Sequence, residues 1–396
     1  MATFRLRRFS NPEVLRAIAP RRLIAFLEPH RAFFEARGLV FPRAPSTGPI
    51  DYEALVDLFM DPGAGLPKEL LDALFLVDEM ATPHGMDALL EDARCSGLPL
   101  DEAAEDSPAD VAVQVWLLDC RLLESKHAEQ FLVRPRSFEC YQTGRAKVPP
   151  FTLPDTTVCG NLERDLDDWF EEKKRGRGTR VFVYPREDGV WFLVRHGEPF
   201  KREESLNGPE TVSVCYRPLK YDVLVYQPQI GELRVNARSK HEKRLYRTQF
   251  GKHFFGDEDF FPGDSKYTLE PLLTRGEAAL ACVDVPGMEW VRLREAHFFL
   301  GGPSNEVQSH RADDVFAAFR SRDGKPPAGR IIRAVFQVKF TDSKRPRSVT
   351  IRPSNIAQYT RDDDAELVEQ WLRRRGFILA GADTGRGEGH ATLASA

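Results

Sequence analysis

The chain has 396 residues, of which 42% are hydrophobic and 29% are charged, and its formal net charge is −4. Such values are ordinary for a globular protein, and the length allows two or three domains with cores of their own. No apolar run approaches the roughly 20 residues that a membrane-spanning helix needs. The basic start from Met1 to Arg8 is not followed by the apolar segment of a signal peptide. The composition therefore excludes a membrane-spanning chain and predicts a cytoplasmic protein with no membrane among its partners.

The cysteines and histidines show no spacing typical of a metal site. Neither a close pair of cysteines nor His-Glu-x-x-His is present, so we expect no structural metal. Scattered cysteines in a long chain without a signal peptide indicate reduced thiols. Glycine-rich phosphate loops and a nucleophile elbow are also absent, which predicts no cofactor and favours a protein that is not an enzyme. Arginine outnumbers lysine, as is typical of a GC-rich bacterial coding sequence.

Charge is unevenly distributed along the chain. Residues 46–125 contain three basic residues and eighteen acidic ones. One interpretation is that these acids lie on solvated helix faces and in intramolecular ion pairs. The alternative is an acidic surface that docks a basic protein partner or shields the protein's own basic surface.

Residues 1–145 are predicted to form a helical domain that is acidic in its middle. Hydrophobic residues recur at helical spacing, as at Leu70 and Leu74, and one long helix is expected between residues 107 and 134. The proline-bearing stretch 147–154 marks the boundary of this domain.

The pattern changes beyond residue 155 to the alternation typical of strands. A helix beginning after Asn161 is followed by five such runs, at residues 180–184, 190–195, 211–216, 221–226 and 232–236. They predict an antiparallel meander over 155–260 whose last strand leads into a basic helix packed on the sheet.

A second segment of mixed strands and helices is predicted over 261–380. It comprises a strand at 290–300, a hairpin formed by 330–341 and 348–352, and a last helix from 362 to 375. Residues 381–396 are expected to be a disordered tail. The predicted fold class is α+β, with a helical N-terminal region followed by an antiparallel-sheet region with packed helices.

The basic helix is the strongest functional candidate. Its cations recur at helical spacing and share one side, whereas Leu245, Tyr246 and Phe250 fall roughly opposite and can be buried. A dense positive stripe suits a phosphate backbone or an acidic partner. The alternative is a solvated helix face balanced by nearby acids such as Glu242. The cations of the stripe are Lys240, Lys243, Arg244 and Arg247.

A second group of cations lies at the tip of the predicted hairpin. Lys344, Arg345 and Arg347 occupy a turn from which side chains can reach a groove or a nucleic-acid backbone. We therefore add them to the predicted nucleic-acid-binding residues.

Asp222 and Glu232 suggest an alternative function, that of a metal-dependent nuclease. Restriction-type nucleases hold a divalent metal with an aspartate on one strand and Glu-x-Lys on the next. Here Asp222 lies on one predicted strand and Glu232 opens the next, but Arg234 replaces the lysine. Arginine is a poor proton-transfer residue because it stays charged.

The sequence therefore predicts a non-catalytic, nucleic-acid-binding accessory subunit of a bacterial multi-protein system. Its partners would be DNA or RNA and a protein docked on the acidic helical region. The alternatives are a protein–protein interaction scaffold, for example a component of phage defence, and the metal-dependent nuclease.

Overall fold

The structure is a computed structural model, and the chain divides into two compact units, Met1–Gln130 and Phe131–Ala396. The described residues are 6–43, 48–61, 65–101, 107–132, 135, 137–145, 147–207, 210–263, 265–322, 326–359 and 365–379. The predicted tail at 381–396 lies outside them. None of the helices in these ranges has the length and apolar character needed to cross a membrane.

The N-terminal unit is helical in its described residues. Helices α1, α2, α6 and α7 begin at a proline, whose fixed φ suits the first helical position and whose missing N–H is not needed there. Leucine, valine and phenylalanine side chains from the helices form one buried core. The helices are α1 (Pro12–Arg16), α2 (Pro20–Leu27), α3 (Arg31–Glu35), α4 (Tyr52–Met60), α5 (Lys68–Met80), α6 (Pro83–Cys95), α7 (Pro108–Leu118) and α8 (Cys120–Glu129), with a 3₁₀ turn at Glu28–His30.

The single long helix expected between residues 107 and 134 is wrong. Asp119 separates α7 from α8 because its backbone is extended, with φ −153° and ψ 90°. Its carboxylate accepts hydrogen bonds from the N–H groups of Arg121 and Leu122, so it caps a new helix. Hydrophobic spacing continues across this break, which is why the pattern alone concealed it.

The C-terminal unit is built on a ten-stranded sheet in which every neighbouring pair is antiparallel, in the order β2-β3-β6-β7-β1-β12-β11-β10-β8-β9. A separate hairpin, β4–β5, is inserted between β3 and β6. The strands are β1 (Ser137–Gln142), β2 (Arg180–Arg186), β3 (Gly189–Gly197), β4 (Lys201–Asn207), β5 (Glu210–Tyr216), β6 (Leu219–Gln227), β7 (Glu232–Asn236), β8 (Met288–Gly301), β9 (Glu306–Arg311), β10 (Arg330–Phe340), β11 (Arg347–Arg352) and β12 (Ile356–Gln358).

In the described part of this unit five helices accompany the sheet, and the predicted α+β fold class is confirmed. They are α9 (Thr156–Glu172), α10 (Lys240–Phe255), α11 (Glu270–Thr274), α12 (Val315–Arg320) and α13 (Ala365–Arg374), with a 3₁₀ turn at Gly276–Leu280. Helix α9 starts earlier than predicted because Asp155, rather than Asn161, caps it.

Strand β1 falls within residues 1–145, which were predicted to form a helical domain. It pairs with β7 on one side and β12 on the other, so it joins strands from the predicted segments 155–260 and 261–380 into one sheet. The division of the chain at residue 260 stays a prediction.

The two faces of the sheet bury different cores. Leu224 on β6 packs in a core with α9 and α10, and we call this side the α10 face. Phe336 on β10 packs against Trp371 of α13, with ring centroids 5.2 Å apart, and we call this side the α13 face. Strand β1 takes part in both, because neighbouring residues on a strand point to opposite faces. Its Tyr141 belongs to the α10 face and its Cys140 to the α13 face.

Candidate nucleic-acid interface

Helix α10 begins at a capping box. The Ser239 side chain accepts a hydrogen bond from the N–H of Glu242, and the Glu242 carboxylate accepts one from the N–H of Ser239. Two N–H groups that lack helical partners are thereby satisfied. The helix ends at Gly256, whose left-handed φ of 67° favours glycine. Local sequence thus defines both ends.

One side of α10 is buried, as predicted. Leu245, Tyr246 and Phe250 lie in the core of the α10 face. Phe250 packs edge-on against Phe192 of β3, with ring centroids 5.1 Å apart. This anchored side fixes the direction in which the cations point.

The four cations of the stripe lie in two different environments. Lys243 forms an ion pair with Glu139 of β1, and Arg247 lies over the Tyr141 ring, 5.2 Å from its centroid. Lys240 and Arg244 are exposed, and within the described residues neither makes an ion pair or side-chain hydrogen bond. The structure therefore holds two of the four against β1 and leaves the other two facing solvent.

The cations of the β10–β11 turn lie apart from α10. Lys344 and Arg345 are exposed, and Arg347 is half-buried with its guanidinium 6.0 Å from the centroid of the Phe340 ring. In the sheet order, β12 separates β11 from β1, the strand that α10 contacts. These cations do not extend the stripe itself.

Asp222 and Glu232 are not brought together by the structure. Gln227 is the residue of β6 that faces Glu232, and it lies five positions from Asp222. At about 3.3 Å per residue this separates the two carboxylates by about 16 Å along the sheet. Asp222 also points to the α10 face and Glu232 to the α13 face. The nuclease alternative needs both at one metal, and this geometry does not supply that arrangement.

Asp222 belongs instead to a buried polar cluster beneath the first turns of α10. Its Oδ2 accepts a hydrogen bond from the hydroxyl of Tyr246 at 2.9 Å and lies 3.1 Å from Nε2 of His196. Its Oδ1 lies 2.8 Å from Nζ of Lys220. Asp222 and His196 are 1% and 0% exposed, so the carboxylate is satisfied by protein groups rather than by solvent.

Glu242 completes this cluster. Arg175 donates to its Oε1 at 2.5 Å, and Lys220 lies 3.6 Å from the same atom. Burial alone would raise the pKa of Glu242, but hydrogen bonds from Arg175 and Ser239 and the charge of Lys220 outweigh it. They lower the pKa to about 2.

The cluster also has the donor types of a metal site. Ligand atoms of His196, Asp222 and Glu242 lie within 4.8 Å of one another. However, the two carboxylates already face the cations of Lys220 and Arg175, so the negative charge is compensated within the protein. A bound cation would have to displace these ion pairs. The arrangement fits a structural role, in which β3, β6 and α10 are held together.

Glu242 is expected to make stability depend on pH. Because its folded pKa lies below the unfolded value, its contribution of up to about 3 kcal/mol is present above about pH 5 and is lost as the pH falls towards 2. The free energy of unfolding is measured for the wild type and for Glu242→Gln at pH 6 and at pH 3. The difference between the two proteins should be about 1–2 kcal/mol smaller at pH 3 than at pH 6. The other acids titrate in both proteins, so their effects cancel in this difference. Glutamine also keeps the capping box, so the start of α10 is unchanged. A gap that did not change with pH would contradict this assignment.

Glu232 lies in a second buried cluster on the α13 face. Arg234 Nε and Lys266 Nζ each lie 2.8 Å from Oε1 of Glu232, and Arg234 also donates to Glu369 of α13. Burial would raise the pKa of Glu232, but the charges of Lys266 and Arg234 lower it below its usual range. Arg234, which we considered as a departure from a nuclease motif, is therefore a partner in a buried ion network.

Sequence reasoning missed His196, Lys220, Arg175 and Tyr246 as members of the first cluster. They lie on different elements, so no local motif unites them. One signal was present: Lys220 and Asp222 occupy alternate positions on the strand that carries Leu224 inward. Charged residues at core-facing positions indicate buried ion pairs.

The acidic N-terminal unit contains several internal ion pairs. Arg22 is paired with Asp110, Arg8 with Asp78, and Lys126 with Asp92. Such pairs are what the interpretation of the acidic segment as internally ion-paired expects. Docking of a basic protein partner on this segment stays a prediction.

No known protein-family model matches the chain, and no curated protein matches it significantly.

Proposed function

We propose that the protein is a non-catalytic nucleic-acid-binding accessory subunit, and that the exposed side of α10 contacts phosphates. The observation that carries this proposal is the exposure of Lys240 and Arg244. They are four residues apart, so they are neighbours on one side of a helix whose other side is buried. Phosphate contact by lysine and arginine is the main sequence-independent source of affinity for nucleic acids.

The orientation of Glu242 supports phosphate binding over a balanced, solvated helix face. Glu242 is the acidic residue within α10, and it points inward to Arg175 and Lys220. It therefore does not neutralise Lys240 or Arg244. Arg247, although it lies over the Tyr141 ring, adds positive potential at the same side, whereas Glu139 compensates the charge of Lys243.

Reversing the two exposed charges should greatly weaken binding. For Lys240→Glu/Arg244→Glu we expect a loss of affinity on the order of 10- to 100-fold and a salt slope reduced by about two, since each phosphate contact contributes about one. Fluorescence anisotropy with labelled DNA and RNA across a salt series measures both quantities.

The matched control is Lys68→Glu/Arg121→Glu, which makes the same charge change at exposed residues of the N-terminal unit. It should bind like the wild type apart from a small general charge effect. Equal losses of affinity in both variants would show that binding depends on the net charge of the protein rather than on α10. Absence of binding at low salt would reject nucleic-acid binding and favour the scaffold alternative.

The remaining parts of the proposal come from composition and charge. We place the protein in the bacterial cytoplasm, as a member of a multi-protein system, with the acidic helical region facing a protein partner. Affinity capture from a bacterial host, with the acidic region as bait, tests that part separately.

A further inference from the structure

The α10 face of strands β8 to β12 carries several cations. Core residues such as Leu293, Phe336 and Val349 point to the α13 face, so the alternate residues point to the other side. We call this side of β8–β12 the open sheet face. Its cations include Arg292, Arg311, Arg333, Lys339 and Arg352, and Trp290 lies among them.

Several of these cations are available to a ligand. Arg292, Arg311 and Arg352 are exposed, and within the described residues none of them forms an ion pair. Arg333 is paired with Glu295, and Lys339 with Glu289. The open sheet face thus carries an excess of positive charge, which is complementary to a polyanion.

The strand register places this face beside α10. Glu139 of β1 is opposite Ile356 of β12, and Ile356 is opposite Arg352 of β11, so the three lie in one row on one face. Two strand spacings put Arg352 about 10 Å from Glu139 along the sheet. Since Glu139 binds Lys243, the cationic side of α10 borders the open sheet face.

The shape of the surface favours single strands over the major groove of a duplex. The major groove of duplex DNA admits a helix or a two-stranded ribbon, but not the face of a multi-stranded sheet. An open sheet instead offers planar groups on which unpaired bases stack. The Arg292 guanidinium lies 4.4 Å from the centroid of the half-exposed Trp290 ring, which forms such a planar group.

We infer that the open sheet face and α10 together bind single-stranded nucleic acid. Lys240, Arg244 and Arg352 contact phosphates, and the Trp290–Arg292 pair stacks on bases. This inference rests on the proposed function, which it extends from a helix to a surface and from nucleic acid in general to single strands. DNA and RNA share the chemistry that is recognised.

The test compares charge reversals on the two parts of the surface. Anisotropy is measured with a single-stranded DNA, a single-stranded RNA and a DNA duplex, each of about 20 nucleotides or base pairs, at low and moderate salt. We expect the wild type to prefer single strands by about tenfold or more, and Arg292→Glu/Arg352→Glu to lose about tenfold in affinity for them. The affinities for the single-stranded DNA and the single-stranded RNA show which sugar is preferred.

A stacking role for Trp290 has its own readout. Trp290→Ala should weaken binding to single strands by about tenfold, whereas Trp290→Phe should retain most of the affinity, because every aromatic ring offers a stacking face. Thermal melting of each variant checks its fold. If Trp290→Ala does not fold, the reversal at the exposed Arg292 and Arg352 decides alone.

The two proposals fail in different ways. Equal affinity for duplex and single strands would overturn the role of the open sheet face and keep that of α10. The same conclusion would follow if Arg292→Glu/Arg352→Glu bound like the wild type while Lys240→Glu/Arg244→Glu lost affinity. A protein that binds none of the three probes at low salt would reject both.

Discussion

Asp222→Ala is expected to lower the free energy of unfolding of the C-terminal unit by about 3–5 kcal/mol, the usual cost of removing one partner from a buried ion network. The substitution leaves His196, Tyr246 and Lys220 without the carboxylate that they share. It also removes the hydrogen bond that joins Tyr246 of α10 to β6. Urea unfolding followed by tryptophan fluorescence measures the effect, since Trp169, Trp191, Trp290 and Trp371 all lie in this unit.

Asp313→Ala is the matched control for this prediction. The Asp313 side chain is 97% exposed and paired with Arg294. Its removal should change the free energy of unfolding by less than about 1 kcal/mol. A loss below about 1 kcal/mol in Asp222→Ala as well would show that the cluster beneath α10 does not stabilise the fold.

Glu232→Ala is expected to have a similarly large effect, about 3–5 kcal/mol, at the other face of the sheet. Glu232 is 0% exposed, and without it the charges of Arg234 and Lys266 are no longer compensated by this carboxylate. The same fluorescence-detected unfolding measures the loss. Glu289→Ala, which removes an exposed carboxylate paired with Lys339, provides the control and should cost less than about 1 kcal/mol.

These two variants also separate a structural role from the nuclease alternative. If Asp222 and Glu232 are structural, each substitution lowers stability, and purified wild-type protein shows no metal-dependent cleavage. Magnesium- or manganese-dependent cleavage that disappears in Asp222→Ala at full stability would contradict the structural assignment.

Elements defined by local signals were predicted from the sequence. The basic helix was predicted from the helical spacing of its cations and apolar residues. In the structure α10 begins at the capping box of Ser239 and Glu242 and ends at Gly256. The alternating runs at 221–226 and 232–236 correspond to β6 and β7, and the predicted hairpin corresponds to β10 and β11. Their hydrophobic period is strong enough to define strands without knowledge of their partners.

Short central strands escaped prediction. Strand β12 has three residues, too few for a clear alternation, and β1 lies among the residues that were predicted to form the helical domain. Both are strands because their backbone groups pair with partners distant in the chain, as Glu139 does with Val235 and Ile356. Such pairing is a property of the assembled sheet, which the local sequence does not encode.

By itself, the sequence determined the fold class, the presence of a basic helix and the identity of its four cations, because hydrophobic and charge periodicity act over a few residues. Only the tertiary structure decided which of these charges are free. It turned Glu242 inward, attached Lys243 to Glu139, and placed Asp222 and Glu232 on opposite faces. The physical reason is that the ion pairs form between side chains brought together by strand register and helix packing, and their energies depend on burial.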